Sequence, residues 1–386
     1  MLNSRHINLI TLLMLVTFGV LPSSSADEVI VDIEGQQRVL IGEILIEAQN
    51  GGIYFVESSG KIWLFQADQI RSKSRLENPT PVLTKKQIGI KLLEELPSDF
   101  RIYETQHYVI AYQTSLTYAK WVASLYESRL YRAFESFWVR KKKVALDDPK
   151  FPLVAIIFDS RSNYQAYMDR ELGPGQQMVA YYNIQNNRVT MFDLTSEYAR
   201  DKGELSERRI EQILGSPGAV SMVATMIHEA THQLIFNRGI QSRFSDSPLW
   251  LHEGLAMYFE APNLKSKRGW QRPGLVFDER LLLFRQRLAN RQPQTIENLV
   301  SSNQFFEDPN QSLGAYAESW ALVHFLVNRR SKEFTAYMKF MGKKKPLVED
   351  SSDQRLSEFK QFFGESIEEL ENDFLKYISR LRYSQQ

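Results

Sequence analysis

Two histidines four positions apart, with a glutamate beside the first, stand in Met226-Ile227-His228-Glu229-Ala230-Thr231-His232-Gln233, an H-E-x-x-H sequence. On a helix, positions i and i+4 share a face one turn apart, so His228 and His232 can grip one metal ion. Glu229 is then placed to take a proton from a water on that ion. Two histidines are too few, because catalytic zinc uses three protein ligands and keeps one position open. Glu253, in Trp250-Leu251-His252-Glu253-Gly254, is the candidate third ligand. It follows His232 by 21 positions, enough for a helix end, a loop and the first turns of a returning helix. Gly254 has no side chain, so a close approach there is easy. Glu260, two turns beyond Glu253 on the same face, can hydrogen-bond a ligand histidine from behind. The competing readings are an ordinary helix with two unrelated histidines and, for Glu260, a solvated carboxylate at a helix end. A chance H-E-x-x-H in a chain of this length is rare, on the order of one in a hundred.

His228-Glu229-x-x-His232 followed by Trp250-Leu251-His252-Glu253-Gly254-Leu255-Ala256 resembles the gluzincin zinc metallopeptidases, with their H-E-x-x-H and W-L-x-E-G-x-A motifs. After about residue 100 most of the chain is similar to a family of secreted bacterial proteins of unknown function related to peptidase MA-like domains. The resemblance implies that His228, His232 and Glu253 bind Zn2+, that Glu229 is the catalytic base, and that the substrate is a peptide or protein. It does not extend to a G-x-M-E-N-like motif that would hold a substrate N-terminus, which counts against an exopeptidase. Zinc peptidases need a donor for the developing oxyanion. Tyr316, in a segment resembling the family's Y-x-x-S-W-x-L-V, inherits that role, with a core aromatic as the competing reading. His324, two turns along, is the other candidate. By the same resemblance and by position, the hairpin Val179–Leu194 is the edge expected to hold an extended substrate.

The elements that must position these groups are legible in outline. Ser216 as N-cap and Pro217 as first helical residue start the metal helix. Val220, Val223, Ile227, Leu234 and Ile235 keep its rhythm, and Gly239 stops it. Ser247 and Pro248 play the same two parts for the second helix, which ends before Pro262. Upstream, Tyr108–Tyr112 and Leu153–Phe158 are strands and Ser162–Arg170 is a helix. Thr114 or Ser115 caps a helix running to about Arg140, with Ala119, Val122, Tyr126, Leu130, Phe134 and Phe137 on one face. Met178–Tyr182 and Arg188–Phe192 form the hairpin around Gln185-Asn186-Asn187. Downstream the chain is mainly helical, closing on a helix capped by Ser366. His107 and His252 read as structural, since His252 points about 100° away from Glu253 around the helix.

Met1–Ala26 has a positive residue, Arg5, an apolar run from Ile7 to Leu21 and small residues before the break. It reads as a signal peptide, its apolar run of about 15 residues being short of the roughly 20 needed to span a bilayer. The competing reading is an uncleaved anchor. With the segment removed no membrane span is expected. There is no cysteine, hence no disulfide. Lysine plus arginine balance aspartate plus glutamate (47 against 46), which gives no reason to propose a nucleic-acid partner. The basic runs Arg140-Lys141-Lys142-Lys143 and Lys343-Lys344-Lys345 read as solvated.

The expected fold is α+β. Residues 27–70 form a small β-rich unit, a meander or an SH3-like barrel. Residues 71–100, with Pro79 and Pro81, form a linker. A gluzincin-like domain fills 101–386, with an α/β lobe at 101–215 and a helical lobe at 216–386. The expected function is an exported zinc endopeptidase, periplasmic, cell-surface or extracellular. The alternatives are a zinc hydrolase of a non-peptide or cell-wall amide, or a non-catalytic binding or scaffold protein on the same frame.

Overall fold

The computed structural model describes residues 26–78, 82–261, 272–292 and 294–383. The stretch before Ala26, read as a signal peptide, and the three prolines read as breaks, Pro79, Pro81 and Pro262, lie outside the described residues. The chain is α+β, with a strand unit first, a second sheet next and a mainly helical remainder.

The first unit is a five-stranded antiparallel sheet in the order β4-β3-β2-β1-β5. Its strands are β1 (Asp27–Ile33), β2 (Gln36–Glu47), β3 (Ile53–Glu57), β4 (Ile62–Phe65) and β5 (Ile70–Arg75). Glu34 and Gly35 close the first hairpin with φ of 54° and 78°, the left-handed pair that suits the twist of two joined strands. β2 is a single long strand with a register irregularity against β3 between Ile44 and Ile46.

The stretch read as a linker is mostly structured. It holds the rest of β5, which pairs with β1, and helix α1 (Lys85–Glu95). The sequence of β5 hides it, because Arg71 to Arg75 alternate basic residues with serine and are all exposed. Charged residues on an edge strand discourage pairing with other chains, so such a strand lacks the apolar pattern of an inner one.

The second sheet runs β6-β7-β8-β10-β9, with β6 (Arg101–Glu104), β7 (Tyr108–Tyr112), β8 (Leu153–Phe158), β9 (Ala180–Asn183) and β10 (Arg188–Phe192). β7, β8 and β10 are parallel, while β6 and β9 are antiparallel edges. β7 and β8 are buried throughout, as parallel strands covered on both faces must be. Val109, Ala111, Val154 and Ile156 face α1 and α2 (Arg161–Leu172). Tyr108, Ile110, Ala155 and Ile157 face the main core. The chain between β7 and β8 is one helical run over 116–141, with wide-turn stretches at Ser124–Tyr131 and Ser136–Lys141. Ser115 caps it by accepting Tyr118 N–H. Its six predicted face residues are all buried.

Lys142 corrects the reading of its basic run. It is 6 % exposed, and its ammonium donates to Val327 O at 3.0 Å and Ser331 Oγ at 2.7 Å. It satisfies a carbonyl at the end of the helix that carries Tyr316.

Candidate metal centre

Helix α3 (Pro217–Asn237) runs through the middle of the molecule, and every residue from Met226 to Ile235 is buried. A helix apolar nearly all round must be packed on all sides, so the polar groups it carries must find partners inside. Gln233 Nε2 donates to Val154 O at 3.0 Å and Asn187 O at 2.8 Å, tying the helix to the second sheet. Ser216 holds the N-cap position, but its hydroxyl turns back to Ile213 O at 2.6 Å. Pro217 is the first helical residue, as expected.

The returning helix α4 (Leu249–Glu260) starts one residue later than expected. Pro248 is itself the cap, and the Ser247 hydroxyl has no partner among the described residues. Capping is supplied from a distance, Leu249 N–H donating to Asn303 Oδ1 at 3.1 Å. Every residue from Trp250 to Glu260 is buried. At Gly254 a Cβ would sit 2.5 Å from Ser319 O and 2.6 Å from Val323 Cγ2. The close approach at this glycine is therefore with helix α6 (Ser312–Arg329), the helix that carries Tyr316.

This packing brings His228, His232 and Glu253 together. His228 Nε2 lies 3.0 Å from Glu253 Oε2 and 3.1 Å from His232 Nε2, and His232 Nε2 lies 3.6 Å from Glu253 Oε1. Ligands at ~2.05 Å from one tetrahedral ion stand about 3.3 Å apart. The spacing and the donor set, two imidazoles and one carboxylate, fit a single small divalent ion. All three are nearly solvent-free, so the donors are already desolvated and aimed.

Electrostatics support the same arrangement. Burial alone would push the His228 pKa down, but the bonds and charges of Glu253 and Glu260 outweigh it and raise it to about 10. Burial would raise Glu253, but the two histidines hold it well below the usual carboxylate range. A proton on His228 is the positive charge that two buried carboxylates demand, and a divalent ion would replace it.

Glu260 does what its spacing predicts. Its Oε2 lies 2.8 Å from His228 Nδ1, turning Nε2 toward the trio. The sequence did not reveal what lies behind it. Arg280, on α5 (Asp278–Leu288), donates Nε to Glu260 Oε1 at 2.8 Å. Burial would raise Glu260, but Arg280 first and His228 second keep it ionised. A relay Arg280–Glu260–His228 thus backs one ligand. No local motif marks Arg280 among the 47 basic residues.

Residues 222–348 match a family described as "Protein of unknown function (DUF1570)". The matched stretch contains all three members of the trio together with Glu229, Glu260, Arg280 and Tyr316. No curated protein matches the chain.

Glu229 is buried on α3, and its Oε2 accepts Tyr182 N–H at 2.8 Å. Tyr182 lies on β9, an edge strand of the second sheet, so the expected hairpin does run against α3 at Glu229. Tyr316 is partly buried and its ring meets Phe306 edge-on at 5.2 Å. Burial, then the charges of Glu253 and Glu229, push its pKa far above the usual tyrosine value. The hydroxyl therefore stays protonated, a donor within the field of both glutamates. His324 does not share that surrounding. Its Nδ1 meets Tyr377 Oη at 2.9 Å and its ring packs on Trp320 and Tyr258, so it belongs to an aromatic cluster. His252 stands outside the trio, its ring edge-on to His232 at 5.6 Å, and His107 is held by Glu127 and stacked on Tyr131. No described helix is long and apolar enough to cross a membrane.

Proposed function

We propose that this protein is an exported zinc-dependent endopeptidase. The observation that carries the reading is the buried trio His228, His232 and Glu253, with the carboxylate of Glu229 on the same helix. Zinc, when bound there, supplies Lewis acidity to a carbonyl and acidifies water. Glu229 accepts the proton of the attacking water and returns it to the leaving amine. The Tyr316 hydroxyl donates to the developing oxyanion. β9 offers an outer strand for an extended peptide to pair with, and its neighbour β10 holds it in place. Export rests on the composition of Met1–Ala26.

The test is a mass-spectrometric screen of a diverse peptide mixture against the mature protein with zinc, beside Glu229→Gln. Cuts made by the wild type alone would establish a peptidase and report its side-chain preference. An absence of cuts at one zinc per chain would remove the peptidase reading and point to a non-peptide amide. An absence of both cuts and zinc would leave a scaffold.

A further inference from the structure

The loop that leaves α3 carries a group the chemistry above does not use. Arg243 Nη1 donates to Gly60 O at 2.9 Å and to Ile184 O at 3.3 Å. Gly60 lies in the β3–β4 turn of the first sheet, and Ile184 lies in the β9–β10 turn. One guanidinium thus joins the metal helix, the N-terminal unit and the hairpin. A second bond runs alongside, Ile62 N–H donating to Gln185 O at 2.8 Å.

The residue after Arg243 is under strain. Phe244 has φ of 61°, a conformation that a bulky side chain adopts only when its surroundings impose it. Its ring meets Tyr54 edge-on at 6.0 Å and joins an apolar cluster of Tyr54, Val56, Ile62 and Phe151. Its carbonyl accepts Leu347 N–H at 2.8 Å. Locked on both sides, Phe244 fixes where Arg243 points. The held turn lies two residues from Tyr182, whose N–H is bonded to Glu229.

We propose that Arg243 is a positioning residue: braced by the N-terminal sheet, it sets the β9–β10 hairpin and through Tyr182 N–H orients Glu229. The N-terminal unit is then a working part of the mature protein and not a segment removed to open the site. The kinetic arm of this inference rests on the peptidase reading, while its structural arm does not.

The test compares wild type, Arg243→Ala and Arg243→Lys by amide hydrogen exchange with zinc added, and by kinetics on a peptide found in the screen. Exchange across 178–187 should quicken at least tenfold in Arg243→Ala, with α4 and α6 unchanged. kcat should fall at least tenfold with a smaller change in KM and with zinc stoichiometry intact. Lysine, which can still donate to both carbonyls, should restore most of each. Should the alanine variant fail to fold, Arg243→Gln, able to reach one carbonyl, should give an intermediate quickening over the same residues. Unchanged exchange at 178–187, or equal quickening throughout the chain, would overturn the proposal. If the wild type cuts no peptide, the peptidase reading fails and the exchange result alone decides the brace.

Discussion

The carboxylate of Glu229 accepts the backbone N–H of Tyr182 at 2.8 Å, so the base of the proposed reaction is tied to β9, an edge strand of the second sheet. A carboxylate on a rotatable side chain would sample several orientations. A main-chain donor, fixed by the pairing of β9 with β10, holds one of its oxygens in place.

Glu229→Gln should keep this bond, because an amide oxygen accepts as a carboxylate does, while removing the proton acceptor. Peptide cleavage should fall by roughly 10²–10⁴-fold, the range general-base catalysis contributes. Zinc stoichiometry and thermal midpoint should be unchanged. Retained cleavage would remove Glu229 from the base role; lost zinc would mean that the variant had disturbed the trio itself.

Glu253→Ala should weaken metal binding most, since it deletes one of three donors. Arg280→Ala acts at two removes: it strips Glu260 of its cation and loosens the hold on the His228 ring. Loss of such outer partners typically costs ~10–100-fold in metal affinity. Competition with a chromophoric chelator would rank the variants, with Glu253→Ala weakest, Arg280→Ala intermediate and wild type tightest. Wild-type affinity in Glu253→Ala would dismiss it as a ligand.

Much of this site was legible because its elements are local. The i, i+4 spacing and helical periodicity marked α3, and Glu260 lay at a heptad from Glu253. What escaped notice depended on distant partners. Asn303 caps α4 from a separate helix connection, and Arg280 reaches Glu260 from α5. The Tyr182 bond uses backbone, which has no sequence signature. β5 and Lys142 escaped for another reason: both look solvated by composition, yet one is an edge strand and the other a helix cap.

Acidification should destabilise the fold through His324. Burial pushes its pKa down to about 4, against roughly 6.5 for an unfolded histidine. Between those values the unfolded chain binds a proton that the folded chain refuses, so stability falls as pH drops through the window and levels off below it. The loss attributable to this group is on the order of 3 kcal/mol. Urea titrations of zinc-free protein from pH 7 to 4 should show it, and His324→Gln should make the slope shallower. An identical slope would mean that His324 titrates alike in the folded and unfolded chain.

Gly254→Ala tests whether the contact of α4 with α6 sets the metal centre. The added methyl meets Ser319 O at 2.5 Å and Val323 Cγ2 at 2.6 Å, and backbone on the far side cannot give way as a flexible side chain would. Overpacking of this kind costs about 1–3 kcal/mol, read as a lowered thermal midpoint in the zinc-free protein. Because Glu253 precedes the glycine and Tyr316 lies one turn before Ser319, forcing the helices apart moves the proposed ligand and the proposed oxyanion donor together. Zinc affinity should therefore fall along with stability. A lowered midpoint with wild-type zinc affinity would show that the trio is held by α3 and the Arg280–Glu260 relay alone, and that α6 serves only the core.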